Sequence, residues 1–202
     1  MAVCALGLAF TAQAQENISG TITPTTSTSA TNAFDGYGMW YLQYDGISID
    51  EINLTGISLG FSGVSPISKN SNVPVSFEIG LEFQYAFGEK NDYDYSMYSL
   101  KVPVNIGYHY AVSENFTIAP YVGLHVRWYL GGKLKNDDYD VDMDLFDDDG
   151  ADWKSFQFGW QIGARAVFKK WTLGISYGAS FNEMSDDWEK LGAFSATLGF
   201  KF

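Results

Sequence analysis

Residues 73–87 read VPVSFEIGLEFQYAF, and along this stretch every second side chain is apolar while those between are mostly small or polar. One face carries Val75, Phe77, Ile79, Leu81, Phe83, Tyr85 and Phe87, and the other carries Ser76, Glu78, Gly80, Glu82, Gln84 and Ala86. Alternation sustained over this length has the period of a β-strand and has no helical interpretation. A tilted strand needs about 9–11 residues to cross a bilayer, so this one is long enough to do so.

Similar alternation recurs through most of the chain and predicts eight strands. They are residues 37–44, 52–64, 73–87, 98–110, 116–130, 156–168, 171–181 and 191–202, the first two being the least regular. Short turns at 111–115 and 169–170 alternate with longer polar loops at 88–94, 131–153 and 183–190. With 17% aromatic residues, 21 glycines and five prolines, the composition also favours an all-β fold.

The two faces of these strands decide between a membrane barrel and a soluble, lipocalin-like barrel. The outside of a soluble barrel should carry dense charge, yet the polar face here is mostly Gly, Ser, Thr, Ala and Gln. The apolar face holds more tryptophan and phenylalanine than an eight-stranded interior could contain, with aliphatic residues central and aromatic residues towards both strand ends. The sequence therefore predicts an eight-stranded antiparallel up-and-down transmembrane β-barrel at 37–202.

The N-terminal region reads as a targeting segment followed by a leader. Residues 1–14 are apolar and end in Ala12-Gln13-Ala14, which predicts a signal peptide whose start is truncated, because it lacks a basic region. Cys4 falls inside it, so no cysteine chemistry is expected in the mature chain. Residues 15–36 are rich in Ser and Thr and are predicted to be a disordered periplasmic leader.

The last strand carries the sharpest resemblance. The pattern Phe194-x-Ala196-x-Leu198-x-Phe200-x-Phe202 resembles the assembly signal of the small outer-membrane β-barrels of Gram-negative bacteria, the OmpA/OmpX-like, porin-family type. The resemblance implies an outer-membrane location with both termini periplasmic, recognition of Phe194, Leu198, Phe200 and Phe202 by the barrel assembly machinery, and contact with outer-membrane lipid and lipopolysaccharide. It also implies a monomer, and it leaves the activity open, because relatives include anchors, adhesins and lipid A-modifying enzymes.

Charged residues on the inward face form the first candidate site. They are Glu78, Glu82, Lys101, Arg127, Arg165 and Lys201. Ions in a low-dielectric interior need partners, so these residues are predicted to form an ion-pair network that fills the lumen. A narrow small-solute pore is the alternative. His109 and His125 share the inward face and belong to no recognisable catalytic constellation.

The long loops carry a second candidate site. Three of them hold 16 carboxylates against 4 lysines, a net charge of −12 that equals the charge of the whole chain. Such a rim should repel nucleic acid and attract cations or basic partners. A divalent-cation loop for Ca²⁺ or Mg²⁺ is hypothesised at Asp138, Asp140, Asp142, Asp144, Asp147, Asp148 and Asp149. Leu145 stands where an EF-hand would need glycine, so alternation with Val141 and Met143 suggests instead that a hairpin continues above the membrane.

These observations predict a non-enzymatic barrel with no resident cofactor and a structural or adhesin-like role carried by its acidic extracellular loops. A lipid A-modifying barrel enzyme and a narrow pore are the alternatives. Calorimetry showing no binding at millimolar Ca²⁺ or Mg²⁺ would reject the metal hypothesis.

Overall fold

The computed structural model describes residues 36–49, 52–67, 74–91, 93–136, 141–146, 153–185 and 188–202. The predicted signal peptide and nearly all of the predicted leader lie outside these residues. In the described part of the chain, no helix is long and apolar enough to cross a membrane.

Ten strands make up the described residues. They are β1 (Tyr37–Ile49), β2 (Ile52–Pro66), β3 (Val75–Lys90), β4 (Tyr93–Tyr108), β5 (Tyr110–Ser113), β6 (Phe116–Asn136), β7 (Val141–Asp144), β8 (Phe156–Phe168), β9 (Trp171–Ser185) and β10 (Trp188–Lys201). The short strands β5 and β7 both pair with β6. Strand β5 continues the position of β4 on one side of β6, and β7 shares the position of β8 on the other side. The ten strands therefore build eight antiparallel barrel positions.

The sheet closes on itself. Neighbours run β1, β2, β3, β4, β6, β8, β9 and β10, and β10 pairs again with β1 from Met39 opposite Lys201 to Ile49 opposite Leu191. Closure leaves no open sheet edge in the wall, which is the condition for a β-structure to stand in lipid. The predicted all-β, eight-stranded antiparallel barrel is confirmed.

Alternate side chains point out of this wall and into the lumen. Leu59, Ile79, Val122 and Leu173 are 51–62% exposed although apolar, and most outward residues along the middle of the barrel are of the same kind. An unbroken apolar outer wall of this extent is typical of a lipid-facing surface. The inward residues of the same strands are small or polar, as the alternation predicts.

The barrel has two unlike ends. At the terminal end lie Tyr37, Phe202, the connection between Pro66 and Val75, and the turns at 114–115 and 169–170. The hairpin end carries the connections at 50–51, 91–92, 137–155 and 186–187. Strands reach further towards the hairpin end than the sequence predicted: β1 continues to Ile49, β3 to Lys90 and β6 to Asn136. The expected loop at 88–94 is therefore a tight turn in which Asn91 has a φ of 54°.

The polarity of the wall reverses towards the hairpin end. In β1 the outward residues change from Trp40 and Tyr44 to Ser48, while the inward residues change from Asp45 to Ile47 and Ile49. The upper part of the barrel therefore has a polar exterior and an apolar core, as a water-soluble barrel does. This reversal explains why β1 and β2 looked irregular in sequence.

The residues of the predicted assembly signal all lie on the outer wall. Phe194, Leu198, Phe200 and Phe202 are 41–66% exposed. The amide of Phe202 donates to the Gly38 carbonyl at 3.0 Å. Its ring lies over Gly38 so closely that a Cβ there would stand 2.5 Å from Phe202 Cε2. Gly38 therefore provides the space in which the last aromatic ring packs against the first strand.

We expect Gly38→Ala to lower the free energy of unfolding by about 1–3 kcal/mol, because the Phe202 ring must leave its position. Gly63 is the matched control, since it pairs directly with Gly38 and an added Cβ would meet nothing within 4 Å. Urea unfolding in phospholipid vesicles, followed by the heat-dependent gel shift, measures both variants. Equal stabilities for Gly38→Ala and Gly63→Ala would show that the packing of Phe202 does not matter.

Candidate functional site: the filled lumen and the hairpin end

A buried ion pair joins two neighbouring strands on the lumen side of the wall at mid-height. Glu82 and Lys101 are opposite each other on β3 and β4, and Lys101 Nζ lies 3.0 Å from Glu82 Oε1. The hydroxyl of Tyr41 also donates to Glu82 at 3.3 Å. Both charged residues are almost fully buried, so the pair needs these extra hydrogen bonds to offset the cost of leaving water.

Asp45 on β1 is a further buried carboxylate, which the sequence analysis did not identify. It is 1% exposed and accepts hydrogen bonds from Gln43 and Gln84 amides at 2.8 and 2.7 Å. The hydroxyls of Ser58, at 2.7 Å, and Ser195 also donate to it. Four donors from β1, β2, β3 and β10 therefore converge on one carboxylate.

Arg127 on β6 reaches this carboxylate through Gln84. Its Nη1 donates to Gln84 Oε1, and Gln84 Nε2 donates in turn to Asp45 Oδ2. The amide thus bridges a guanidinium and a carboxylate, using its acceptor for one and its donor for the other. Arg127 is 2% exposed, and its Cζ lies 6.0 Å from the ring centroid of Tyr129.

A second ion pair lies nearer the terminal end. Arg165 Nη1 is 2.7 Å from Glu78 Oε2, and Asn105 Nδ2 donates to the same carboxylate at 3.0 Å. The guanidinium of Arg165 stacks on Tyr121, with Cζ 4.4 Å from the ring centroid. The lumen charges thus form two levels, one at mid-height and one nearer the terminal end. Together these levels hold three carboxylates and three cations, so the network is formally neutral; the residues are Asp45, Glu78, Glu82, Lys101, Arg127 and Arg165.

Lys201, the sixth residue predicted for the network, lies apart from it. Its Nζ sits 4.4 Å from the ring centroid of Tyr37 at the terminal end. The five other predicted residues lie in the two levels described above.

A cavity of about 20 Å³ beside Glu82, Lys101 and Arg165 is large enough for about one water molecule. Side chains of the network therefore leave little free volume at this position in the lumen.

The two histidines are buried on the lumen side of the wall. His109 Nε2 lies 2.9 Å from Ser76 Oγ, and the two residues are 8% and 2% exposed. His125 is 7% exposed, and within the described residues its Nδ1 has no hydrogen-bond partner. Both side chains thus lie inside the barrel and away from the lipid-facing surface.

An apolar cluster closes the lumen above the charged levels. We call it the cap; its buried members are Ile47, Ile49, Ile52, Leu54, Ala86, Met97, Tyr129, Leu145, Trp153, Met184 and Leu191, with Tyr95, Leu134, Phe146 and Ala193 partly buried against them. Most of these side chains are the inward residues of barrel strands beyond the point where polarity reverses.

The connection between β7 and β8 contributes the residues that complete the cap. The amide of Leu145 donates to the Gly132 carbonyl at 3.1 Å, and that of Trp153 to the Leu145 carbonyl at 3.0 Å. Phe146 stacks on Tyr129 with ring centroids 5.0 Å apart. These contacts hold Leu145 at 0% and Trp153 at 4% exposure inside the barrel mouth.

The hairpin predicted to continue from this part of the barrel is formed by β6 and β7. Register places Lys133 opposite Asp144, Asp94 opposite Lys135, and Glu183 opposite Lys190. Lysines at this end thus alternate with acids across neighbouring strands, an arrangement that stabilises the pairing. The described part of the hairpin end is therefore a charged, water-facing surface around the apolar cap.

The divalent-cation hypothesis concerns residues that lie mostly outside the described chain. Asp138, Asp140, Asp147, Asp148 and Asp149 fall there, and the side chain of Asp142 is not described. Asp144 is exposed, and its Oδ1 accepts from the Phe146 amide at 3.0 Å. Among the described residues no three His, Cys, Asp or Glu side chains group as a metal site would require. Metal binding stays a prediction.

Comparisons with known proteins found a matching family and several similar structures. Residues 91–186 match the family described as outer membrane protein beta-barrel domain. The outer membrane enzyme PagL is similar, with a TM-score of 0.55, 15% identity, and coverage of 80% of this chain and 98% of that chain. Neisserial surface protein A has a TM-score of 0.49, 13% identity, and coverage of 83% and 97%. The attachment invasion locus protein Ail of Yersinia pestis has a TM-score of 0.46 and 13% identity, with coverage of 83% of this chain and 97% of that chain.

No curated protein matches the sequence at a significant level. At identities this low, the structural similarity shows the fold alone.

Proposed function

We propose that this chain, an eight-stranded barrel whose residues 91–186 match the outer membrane protein beta-barrel family, is a non-enzymatic outer-membrane barrel with a closed lumen and a surface-interaction role carried by its acidic hairpin end. The observation that carries the proposal is the division of the barrel into a filled lumen and an elaborated, charged end. The proposal is supported by the small cavity between the buried charges, about 20 Å³, and by the concentration of the negative charge of the sequence in the connections at one end.

The filled lumen favours this role over a pore. Two levels of paired charges lie below the cap, and the cavity between them has a volume of only about 20 Å³. The cap adds apolar side chains such as Leu145 and Trp153 at the hairpin mouth. A solute would have to displace both layers, and eight-stranded barrels are narrow enough for side chains to fill them.

Geometry also favours a non-enzymatic role over lipid hydrolysis. The contact between Ser76 and His109 resembles a nucleophile and its base. Both residues, however, face the lumen and are almost fully buried, so an acyl chain in the bilayer would be separated from them by the wall. An unchanged lipid A mass spectrum in a deletion strain is expected. Loss of a lipid A species would support the enzyme instead.

We infer that the hairpin end faces the outside of the cell and the termini face the periplasm. Two of the three connections at the terminal end are the short turns at 114–115 and 169–170, whereas the other end carries the β6–β7 hairpin and the long connection from β7 to β8. Outer-membrane barrels usually have short periplasmic turns and longer extracellular connections. The polar exterior around the cap also fits a position above the bilayer.

Cysteine labelling on intact cells tests this orientation. In a Cys4→Ser background, which removes the one cysteine of the sequence, Glu89→Cys should react with a membrane-impermeant maleimide. Lys169→Cys is the matched control at the opposite end, and it should react only after the outer membrane is permeabilised. Labelling of Lys169→Cys but not Glu89→Cys on intact cells would reverse the orientation.

A capture experiment tests the interaction role. The wild-type protein is compared with a variant in which the aspartates at 137, 138, 140, 147, 148 and 149 are replaced by asparagine. This variant leaves the cap residues unchanged while removing six negative charges. We expect basic surface partners, or basic model peptides, to bind the wild type and to lose at least tenfold in affinity for the variant. Undiminished binding would show that the interaction does not depend on these aspartates.

A further inference from the structure

We propose that the turn between β8 and β9 binds the headgroup of an anionic phospholipid. The proposed site, which we call the basic turn, consists of Lys169 and Lys170 with the flanking aromatic residues Phe168, Trp171 and Phe200. It lies at the end opposite the acidic rim. The inference rests on the membrane location of the barrel but not on which end is outside or on what the hairpin end binds.

Both lysines lie against rings of the lipid-facing wall. Lys169 Nζ is 5.5 Å from the ring centroid of Phe168, and Lys170 Nζ is 5.7 Å from that of Phe200. Trp171 meets Phe200 edge to face at 5.5 Å. The three rings are 41–54% exposed. Aromatic residues at the edge of an apolar wall mark the headgroup level, so the two ammonium groups stand where lipid phosphates lie.

The lysines of the basic turn differ from those of the hairpin end in what lies beside them. Within the part of the chain that the structure describes, neither Lys169 nor Lys170 has a carboxylate within ion-pair distance. By contrast, Lys133 and Lys190 at the hairpin end stand opposite Asp144 and Glu183 in the strand register. Lysines at the acidic end are therefore placed against acids, whereas those of the basic turn are placed against aromatic rings.

A third lysine adds to the positive potential. The Lys201 amide donates to the Lys170 carbonyl at 2.7 Å, and the Lys201 ammonium stacks on Tyr37. In the neighbouring turn, Asn115 accepts a hydrogen bond from the Lys169 amide at 3.0 Å, and Glu114 beside it is exposed. Among the described side chains around these two turns, Glu114 is the acid and the three lysines are the bases, so these side chains carry a net positive charge.

The backbone of the turn is also unusual for lysine. Lys169 has a φ of 54°, a conformation that glycine, asparagine and aspartate adopt more readily. At the other described position of this kind the residue is Asn91. A lysine held at such a position costs some stability relative to glycine, which suggests that its side chain has a role.

An anionic phospholipid fits these features together. Its phosphate and acidic headgroup would contact the two ammonium groups, while its glycerol and upper acyl chains would pack on Phe168, Trp171 and Phe200. A soluble phosphate could satisfy the lysines but not the exposed rings. The combination of cation and lipid-facing aromatic ring therefore favours a lipid as the occupant.

Fluorescence quenching by brominated lipid tests the proposal at Trp171. The wild type is reconstituted in phosphatidylcholine vesicles containing brominated phosphatidylglycerol or brominated phosphatidylcholine, and the Trp171 signal is obtained by subtracting that of Trp171→Phe. We expect phosphatidylglycerol to associate more strongly with the wild type, and Lys169→Gln/Lys170→Gln to reduce this preference by about fivefold per lysine. Raising the salt to about 0.5 M should weaken it, and soluble glycerol phosphate should not compete.

Two further variants keep the test decisive. Lys169→Arg/Lys170→Arg retains both charges and should retain the preference, and the heat-dependent gel shift shows that each variant is folded. Lys133→Gln/Lys135→Gln removes the same charge at the opposite end and should leave Trp171 quenching unchanged. Equal quenching by the two lipids in the wild type, or an equal loss in both glutamine variants, would overturn the proposal. The vesicles have the same lipid in both leaflets, so the result does not depend on orientation.

Discussion

Replacing Asp45 by alanine is expected to destabilise the barrel by about 3–5 kcal/mol, more than the loss of any exposed charge. The carboxylate is 1% exposed and accepts hydrogen bonds from four side chains. Its removal leaves those donors unsatisfied and leaves the charge of Arg127 without the acid that it reaches through Gln84. The free energy of unfolding in urea, measured in phospholipid vesicles, gives the size of the effect.

Asp45→Asn and Glu89→Gln serve as controls for this experiment. Asparagine keeps one acceptor oxygen but not the charge, so it should fall between the wild type and Asp45→Ala. Glu89 is an exposed acid at the hairpin end, and its neutralisation should change stability by less than about 1 kcal/mol. If Asp45→Ala were no more damaging than Glu89→Gln, the four converging donors would not be holding the lumen together.

Trp153→Ala is expected to cost about 3–5 kcal/mol by opening a cavity in the cap. Trp153 is 4% exposed and packs among apolar residues of the cap, including Phe146 at a centroid distance of 6.2 Å. The barrel wall below the cap should remain intact. Limited proteolysis of the reconstituted protein should therefore cleave the hairpin end of the variant faster while the membrane-embedded part stays protected.

The control for the cap is Met143→Ala. Met143 lies on β7 close to the cap but is 38% exposed, so its truncation should cost less than about 1 kcal/mol. Equal protease resistance in Trp153→Ala and the wild type would show that the hairpin end does not depend on this core. Such a result would also show that the cap does not hold the mouth of the lumen closed.

Much of the fold can be predicted from alternation alone. The strict pattern of β3 predicts its inward and outward faces correctly, because a membrane barrel buries small polar side chains and exposes apolar ones over the whole bilayer thickness. The same reasoning places Glu82 and Lys101 on the inward face of neighbouring strands, and the structure pairs them at 3.0 Å.

The hairpin end could not be predicted in the same way, because the rule that relates polarity to face reverses there. Predicted β1 ends at residue 44, where the outward face stops being apolar and the inward face continues with Ile47 and Ile49, whereas the observed strand continues to Ile49. Asp45 lies at this change and was missed for that reason. Asp45-Gly46 has the composition of a turn, and the signal that the strand continues is the alternation of Ile47, Ser48 and Ile49 beyond it.

Contacts between distant strands also lay beyond the sequence. Gln84 carries no charge, and in the sequence it is one polar residue among others on the inward face. In the structure it links Arg127 on β6 to Asp45 on β1. Lys201 shares the inward alternation but lies at the terminal mouth, where Tyr37 is its partner. Alternation gives the face of a residue, while its height and its neighbours depend on the register of strands far apart in sequence.

Planar-bilayer recording of the purified protein tests the central claim, a closed lumen, most directly. With a conducting porin as the positive control, the wild type in about 1 M KCl should show no stepwise current at either polarity, because paired charges and the apolar cap fill the barrel. Reproducible steps from the folded wild type, absent when the protein is heat-unfolded before addition, would contradict the account.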